Sequence, residues 1–332
     1  MSTPPVLAVL CASATDVPPQ LGQLAGRVQL RIATEDQLAE AVRGARALFL
    51  WDFFSSAVED VWEHCVDLEW IHVAAAGVDT LLFDGLRTSA VTVTNARGVF
   101  DRPIAEYVLA AVLAHAKRVH ESADLQRARE WRHRETRSVR GARVVVVGTG
   151  GIGREIALLL RTVGMEVVSA GSRAREGDPD LGDVVDSDEL ARHVGRADYL
   201  VNAAPLTDRT RGLIDREVLA ALPPTAHLVN IGRGATVVED DLLEALRGRR
   251  LDGATLDVFA TEPLPADSPF WDAPGVVVSP HMSGDVLGWR DTLAEQFVAN
   301  ARRWLDGDPL VNVVDKERGY VPGTAPPTGR GR

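Results

Sequence analysis

Residues 144–160 restrict the possible folds of this chain more than any other stretch. The four valines Val144–Val147 predict a buried strand, and the pattern Gly148-x-Gly150-x-x-Gly153 follows them directly. Apolar residues at helical spacing come next, so the glycines would lie between a strand and an amphipathic helix. A dinucleotide-binding turn requires this order. The alternative is a glycine-rich turn in an ordinary α/β domain, and the flanking strand and helix favour the dinucleotide interpretation.

Each glycine of this turn has its own physical role. The first permits a tight turn, the second lets a pyrophosphate approach the backbone, and the third lets the helix pack closely on the strand. The start of the helix offers free N–H groups and the positive end of its dipole to the phosphates. Because the turn begins near the middle of 332 residues, another folded region precedes it. The predicted nucleotide contacts of the turn are Gly148, Gly150, Gly151, Ile152 and Gly153.

The composition narrows the class of protein. Hydrophobic residues make up 45% of the chain, which is ordinary for a globular protein. With 36 basic and 47 acidic residues, the formal net charge of −11 argues against a nucleic-acid-binding surface. Cys11 and Cys65 suggest neither a disulfide framework nor a metal site. No apolar run approaches the ~18 residues of a membrane span. We therefore expect a cytoplasmic protein without membrane, nucleic-acid or metal partners.

Predicted strands and helices alternate along most of the chain, which favours parallel sheets and an α/β fold. The N-terminal run Val6–Leu10 has no basic segment before it, so it predicts a first strand and not a signal peptide. Glu35–Val42 and Val58–Cys65 are helix-like, and Asp285–Leu305 predicts a long amphipathic helix. The later predicted strands are Ala47–Trp51, Trp70–Val73, Val91–Thr94, Glu166–Ala170, Tyr199–Asn202, His227–Ile231, Gly253–Leu256 and Val276–Ser279.

Charged side chains follow three of these predicted strands, at the carboxyl ends where open parallel sheets bind ligands. Arg233 stands between two glycines after one strand, and Asp257 and Glu262 follow the next. His281 comes after the last strand. Each of these residues has a simpler explanation. Arg233, Asp257 and Glu262 could be ordinary turn residues, and His281 could be the first residue of a helix. Their shared position on the edge of the glycine turn favours a common function.

This set of side chains suits the transfer of a hydride to a carbonyl group beside a carboxylate. Histidine can give a proton to the developing alkoxide near neutral pH, so we predict that His281 is the acid/base. Glu262 would hold the imidazole and favour its protonated form. Arg233 would bind the substrate carboxylate and carbonyl through the bidentate geometry that lysine lacks. A nicotinamide cofactor would carry the redox step.

Together these motifs resemble the D-isomer-specific 2-hydroxyacid dehydrogenase family over about residues 45–315. The glyoxylate/hydroxypyruvate reductase branch is the most similar part of that family, above all across residues 226–281. The segments that carry the resemblance are A-A-G-V-D ending at Asp79, N-A-R-G-V-F-D-R-P-I-A-E from Asn95, G-T-G-G-I-G ending at Gly153, V-N-I-G-R-G-A-T-V-V-E-D-D-L from Val229, L-D-V-F-A-T-E-P-L-P from Leu256 and S-P-H from Ser279.

The resemblance implies two Rossmann-like domains with parallel sheets. Residues 1–101 and 287–318 would form a discontinuous substrate domain, and residues 102–286 would form the NAD(P)-binding domain. From its composition, the tail 319–332 is predicted to be disordered. The family also implies a homodimer held largely by the cofactor domains.

The resemblance also assigns roles to single residues. Arg233, Glu262 and His281 would be the catalytic set, and Asp257 would touch the nicotinamide amide. Backbone amides near Ala76 and Gly77 would hold the substrate carboxylate. Apart from the resemblance, the residues that could shape the substrate pocket are Met282–Asp285, Trp289, Trp51 and Phe53, and its other predicted contacts are Arg233 and His281. Beyond the glycine turn, the predicted cofactor contacts are Ser172, Arg173, Ala204, Pro205, Thr210, Ile231, Arg233, Asp257 and His281.

One departure from the family pattern bears on the cofactor. Family members that use NAD usually place an acidic residue after the second strand of the domain, where it bonds the ribose 2′-hydroxyl. Here Gly171, Ser172 and Arg173 follow that strand, so a hydroxyl and a guanidinium would receive a 2′-phosphate. We therefore predict a preference for NADP(H), with NAD(H) possible. In the alternative, Arg173 merely solvates a loop.

The sequence thus predicts an NADP(H)-dependent D-2-hydroxyacid dehydrogenase that works as a 2-keto acid reductase. Residues Met282–Asp285 depart from the small residues that many family members have after the histidine. The sequence therefore does not determine which side chain the substrate carries. One alternative is a family member of the formate, phosphite or phosphoglycerate type. Another is a dinucleotide-sensing protein without turnover, like the co-repressors that share this scaffold.

Overall fold

The computed structural model describes residues 3–322 of the chain. These residues fold into two compact units, one made of residues 3–100 and 286–322 and the other of Asp101–Asp285. Each unit contains a sheet of largely parallel strands together with helices, so the predicted α/β fold class is confirmed. None of the helices within the described residues combines the length and apolar character needed to cross a bilayer.

The strands are short and mostly buried. In a parallel sheet covered by helices both faces of a strand are shielded from water, which favours continuous apolar runs such as Val144–Val147. Numbered along the chain, the strands are β1 (Val6–Leu10), β2 (Gln29–Ala33), β3 (Ala45–Leu50), β4 (Trp70–Val73), β5 (Thr92–Asn95), β6 (Arg143–Val147), β7 (Glu166–Gly171), β8 (Arg175–Asp178), β9 (Gly182–Asp186), β10 (Tyr199–Asn202), β11 (His227–Asn230), β12 (Gly253–Leu256) and β13 (Val276–Val278).

The helices lie between the strands, and short 3-10 turns at Pro19–Leu24, Glu35–Gln37, Trp62–His64, Ser187–Glu189 and Gly234–Thr236 supplement them. The α-helices are α1 (Leu38–Ala41), α2 (Ala57–Asp60), α3 (Asp84–Thr88), α4 (Asp101–Ala116), α5 (Val119–Arg127), α6 (Gly151–Thr162), α7 (Leu190–His193), α8 (Arg216–Ala221), α9 (Glu239–Arg247) and α10 (Trp289–Asp306).

The unit of residues 3–100 and 286–322 contains five parallel strands in the order β2-β1-β3-β4-β5. Its core joins both parts of the chain, because the rings of Phe49 on β3 and Phe297 on α10 stack with their centroids 3.8 Å apart. Trp70 on β4 stacks on the same Phe297 ring at 5.4 Å. The C-terminal helix therefore completes the core of a unit that the N-terminal hundred residues begin.

The unit Asp101–Asp285 contains the larger sheet, in the order β13-β12-β11-β10-β6-β7-β9-β8. All neighbours from β13 to β9 are parallel, and β8 runs antiparallel to β9. The sequence did not predict this antiparallel edge. Gly177 and Gly182 turn the chain with φ of 65° and 71°. Arg154 on α6 then holds the hairpin through two nitrogens, each 2.7 Å from an oxygen of Asp178.

The ends of several elements differ from the sequence-based predictions. The predicted helix Glu35–Val42 is a 3-10 turn followed by the four-residue α1. The helix predicted from Asp285 begins only at Trp289, since Gly288 before it has a φ of 83°. Within residues 319–322, Gly319 N–H donates to the Asp315 carbonyl at 2.8 Å and the following residue pairs with the same Asp315, while the disorder of the tail stays a prediction. The predicted disorder of residues 323–332 lies outside the described residues.

Candidate active site

The turn between β6 and α6 contains the three glycines of the motif. Gly148 has a φ of 111°, and a Cβ atom there would lie 2.6 Å from the carbonyl oxygen of Ala203. At Gly153 a Cβ atom would overlap the carbonyl oxygen of Gly148. Gly150 has open space where its Cβ would point. Two glycines thus permit close packing and the third leaves the backbone accessible at the start of α6, which fits the approach of a pyrophosphate.

The carboxyl ends of β10 to β13 share the sheet edge on which this turn lies, since these strands and β6 are parallel. The loops after them are in close contact. A Cβ atom at Gly232 would lie 2.6 Å from the Ala204 carbonyl oxygen, and one at Gly234 would overlap the backbone of Phe259. Only glycines on both sides of Arg233 let the three loops meet in this way, so the local sequence Gly-Arg-Gly fixes where the arginine leaves the backbone.

His281 and Glu262 form a direct pair in this group of loops. The Nδ1 atom of His281 lies 2.7 Å from Oε2 of Glu262, and both side chains are about one third exposed. The other carboxylate oxygen accepts the N–H of Phe259 at 2.8 Å. Burial alone would raise the pKa of Glu262, but the two hydrogen bonds and the positive charges of His281 and Arg233 together lower it. The carboxylate is therefore ionised and orients the imidazole through Nδ1.

A buried polar network holds the backbone of Arg233. Its carbonyl oxygen accepts the hydroxyl of Thr236 at 2.5 Å and the side-chain amide of Asn230 at 3.3 Å. Asn202 in turn donates to Thr236 at 2.6 Å and to Asn230 at 2.9 Å. All three supporting side chains are at most 1% exposed. Sequence reasoning missed them, although a polar residue at the end of an apolar strand, such as Asn230, is a signal that could have pointed to them.

Asp257 is 1% exposed, and its carboxylate already has partners within the protein. One oxygen accepts the Ser279 hydroxyl at 2.6 Å and the Met282 N–H at 3.0 Å. The other accepts the Ser283 N–H at 3.0 Å. The structure therefore places Asp257 beneath the loop that carries His281. The predicted contact with a nicotinamide amide stays a prediction.

The loop after β7 carries the residues predicted to receive a 2′-phosphate, and both Ser172 and Arg173 are exposed. Within residues 3–322, neighbouring arginines have carboxylate partners: Arg154 and Arg175 bind Asp178, and Arg209 pairs with Asp188 at 2.6 Å. No ion pair of Arg173 occurs among the described residues.

The other predicted cofactor residues lie on the same edge. Gly151 and Ile152 form the first turn of α6, and Ile231 and Ala204 are buried at the ends of β11 and β10. Pro205 and Thr210 lie in one loop after β10, where the Thr210 hydroxyl donates to the Pro205 carbonyl oxygen at 2.6 Å. This hydroxyl therefore has a structural partner, and its contact with a cofactor stays a prediction.

The other unit contains the remaining residues that were predicted to bind substrate, namely Trp51, Phe53, Ala76, Gly77 and Trp289. Trp51 is 5% exposed, and the Arg290 guanidinium lies 4.5 Å above its ring centroid. The carbonyl oxygen of Ala76 accepts the Asn95 side-chain amide at 2.5 Å, and Gly77 next to it is half-buried. Among residues 3–322, no group of three or more His, Cys, Asp or Glu side chains is placed to hold a metal ion.

Comparison with known proteins finds one family model, described as the NAD-binding domain of D-isomer specific 2-hydroxyacid dehydrogenases, which matches residues 109–283. A glyoxylate/hydroxypyruvate reductase A from Serratia proteamaculans is 32% identical over 259 residues, which are 76% of this chain and 82% of that protein. A glyoxylate/hydroxypyruvate reductase B from Pectobacterium carotovorum is 33% identical over 271 residues, covering 78% and 82% of the two chains.

Solved structures show the same similarity in three dimensions. A D-isomer specific 2-hydroxyacid dehydrogenase from Xanthobacter autotrophicus, in complex with NADPH and MES, has a TM-score of 0.80 at 30% identity and covers 96% of this chain and 100% of that one. An NADPH-dependent glyoxylate/hydroxypyruvate reductase from Sinorhizobium meliloti, in complex with NADP and sulfate, has a TM-score of 0.80 at 28% identity with the same coverage.

Proposed function

The chain belongs to the D-isomer-specific 2-hydroxyacid dehydrogenase family of NAD(P)-dependent oxidoreductases acting on CH–OH groups, and from this premise we propose that it reduces small 2-keto acids with NADPH. The observation that carries the proposal is the pair of His281 and Glu262, 2.7 Å apart, on the sheet edge that also holds Arg233 and the glycine turn. The relatives named glyoxylate/hydroxypyruvate reductases support glyoxylate and hydroxypyruvate as substrates.

The proposed chemistry assigns one task to each side chain. Arg233 binds the carboxylate and the 2-keto oxygen of the substrate in a bidentate contact. Since Nδ1 of His281 is engaged by Glu262, the imidazole gives its proton to the substrate oxygen from Nε2. Glu262 stabilises the protonated imidazole before transfer. The bound reduced nicotinamide supplies the hydride that reduces C2.

The nicotinamide dinucleotide fits the residues that are present, because the glycine turn leaves its backbone open at Gly150 and close-packed at Gly148 and Gly153. A preference for NADP(H) over NAD(H) is supported by Ser172 and Arg173 after β7. It is also supported by the NADPH and NADP bound in the two similar structures. In this proposal Arg173 contacts the 2′-phosphate, and Asp101–Asp285 is the main body of the cofactor domain.

A homodimer formed through the cofactor domain is part of the same proposal. Its support is three exposed apolar side chains on that unit, since Trp131, Val119 and Leu113 are each at least 36% exposed. The expected readout is a molar mass near twice 35.8 kDa in light scattering, and a mass near 35.8 kDa would contradict it. The cytoplasmic location, and the substrate contacts of Trp51, Ala76 and Gly77, stay predictions.

A panel of substrates tests the proposed function. Glyoxylate, hydroxypyruvate, pyruvate, 2-ketobutyrate and phosphohydroxypyruvate are each assayed with NADPH and with NADH, and formate and phosphite are assayed in the oxidative direction. The proposal expects reduction of at least one of glyoxylate, hydroxypyruvate, pyruvate and 2-ketobutyrate, faster with NADPH than with NADH. Turnover of formate, phosphite or phosphohydroxypyruvate alone would replace the proposed substrate class. Tight binding of NADPH without any turnover would favour a sensing role.

A further inference from the structure

Three consecutive backbone N–H groups of the loop at His281 are bound by a single residue. The N–H of His281 donates to the carbonyl oxygen of Asp257 at 2.8 Å. The N–H groups of Met282 and Ser283 donate to the two carboxylate oxygens of the same Asp257, each at 3.0 Å. Asp257 therefore fixes the path of the chain at the residue that carries the imidazole.

This path needs support because the backbone of His281 is in the left-handed region, with a φ of 52°. A residue with a Cβ atom is disfavoured there, and surrounding contacts must hold it. Met282 is 47% exposed and contributes little burial of its own. The hydrogen bonds to Asp257 are the contacts that compensate for the unfavourable conformation.

The Asp257 carboxylate is itself held by a chain of two hydroxyl groups. Ser279 donates to Asp257 Oδ1 at 2.6 Å. Since the serine hydroxyl has one hydrogen, its oxygen accepts from Tyr107 Oη, which lies 2.5 Å away. Burial, together with the nearby charge of Asp257, raises the pKa of Tyr107, so the phenol keeps the proton that it donates. Tyr107 belongs to α4, which packs against the helix that follows the glycine turn.

We propose that Tyr107 and Ser279 are positioning residues for the reduction: through Asp257 they hold the loop His281–Ser283, and so they aim the imidazole at the substrate. Neither side chain needs to touch substrate or cofactor. The inference rests on the proposed role of His281 as the acid. It also gives Asp257 a function that does not depend on contact with the nicotinamide.

Three variants test the hydrogen-bond chain from Tyr107 through Ser279 to Asp257. Tyr107→Phe removes only the phenolic hydroxyl, Ser279→Ala breaks the chain next to the carboxylate, and Ser279→Thr keeps a hydroxyl. Tyr199→Phe is the matched control, because Tyr199 is 3% exposed in the same unit. Its hydroxyl lies 3.2 Å from His115 Nδ1, and Tyr199 begins β10, at the sheet edge opposite to the site.

The first measurement is hydrogen–deuterium exchange of the peptide that contains residues 281–283. The proposal expects exchange about tenfold faster in Tyr107→Phe and Ser279→Ala than in the parent protein, with near-parent rates in Ser279→Thr and Tyr199→Phe. Unchanged exchange in both Tyr107→Phe and Ser279→Ala would overturn the proposal. The exchange rate can be measured even if the parent protein reduces no substrate in the panel. Failure of the proposed positioning and failure of the proposed function are therefore distinguishable.

The second measurement is steady-state kinetics together with the dissociation constant of NADPH from its fluorescence. We expect kcat to fall about tenfold in Tyr107→Phe and Ser279→Ala while NADPH affinity stays within about twofold, since only the aim of the imidazole changes. Ser279→Thr should restore most of kcat. Equal losses of kcat in Tyr107→Phe and in the control Tyr199→Phe, matched to equal losses of thermal stability, would show a merely structural role and overturn the proposal.

Discussion

Replacing Arg173 with alanine removes the guanidinium that the proposal assigns to the 2′-phosphate of NADPH. The structure limits what else can compensate. Arg154 and Arg175 are engaged by Asp178 at 2.7 Å and 3.0 Å, and Arg209 is engaged by Asp188 at 2.6 Å. A 2′-phosphate would therefore depend mainly on a single arginine.

The expected loss follows from one charge-assisted contact. Hydrogen bonds to charged groups contribute about 1.5–3 kcal/mol, and an exposed site falls at the lower end because solvent screens it. We therefore expect about 1.5–2 kcal/mol, which corresponds to roughly a 10- to 30-fold lower kcat/KM with NADPH. NADH has no 2′-phosphate, so its kcat/KM should change by no more than about twofold.

The assay compares kcat/KM for both cofactors in the parent protein, in Arg173→Ala and in the control Arg175→Ala. Arg175 lies two residues further along the chain, at the start of β8, but its guanidinium already binds Asp178. The ratio of kcat/KM with NADPH to kcat/KM with NADH should fall about 10- to 30-fold in Arg173→Ala and stay near the parent value in Arg175→Ala. Equal kcat/KM for NADPH and NADH in the parent protein would refute the reasoning, and so would a parallel loss with both cofactors in Arg173→Ala.

Two further predictions concern an active-site carboxylate and a buried histidine. In Glu262→Gln the amide can still accept the N–H of Phe259, but the anion that stabilises the protonated imidazole is lost, so kcat should fall about 10- to 100-fold with NADPH affinity unchanged; an unchanged kcat would contradict the role of Glu262. His72 is fully buried, and burial lowers its pKa to about 3. The unfolded chain therefore takes up a proton below about pH 6.5 before the folded chain does, and the free energy of unfolding should drop by about 2 kcal/mol between pH 7 and pH 5 on account of His72. Urea unfolding of His72→Phe should lack this part of the pH dependence, and an identical slope in both proteins would contradict it.

The order of strands and helices could be read largely from the sequence, because buried parallel strands leave continuous apolar runs. Trp70–Val73 and Gly253–Leu256 have the bounds that their sequences predict. The strand Gln29–Ala33 was not predicted, since it lies at an edge of its sheet and carries glutamine and arginine. The hairpin containing Arg175–Asp178 was equally hidden, because its sequence is polar and the ion pair from Arg154 that fixes it is a long-range contact.

The residues of the candidate site also fall into two groups, those that could be identified from the sequence and those that could not. Arg233, Glu262 and His281 were identifiable because charged residues at the carboxyl ends of parallel strands are conspicuous. The supporting groups were not, since their partners are distant in sequence. Most residues around Tyr107 are apolar, so the sequence gives no sign that its hydroxyl bonds Ser279, which is 172 positions away.

The central claim is that the imidazole of His281 donates the proton when a 2-keto acid is reduced. Turnover of His281→Ala with saturating NADPH and the best substrate of the panel tests it most directly, with NADPH binding measured on the same sample. The account predicts that kcat falls at least about 100-fold while the dissociation constant of NADPH stays within about twofold. A kcat within about twofold of the parent value, with the cofactor bound normally, would contradict it.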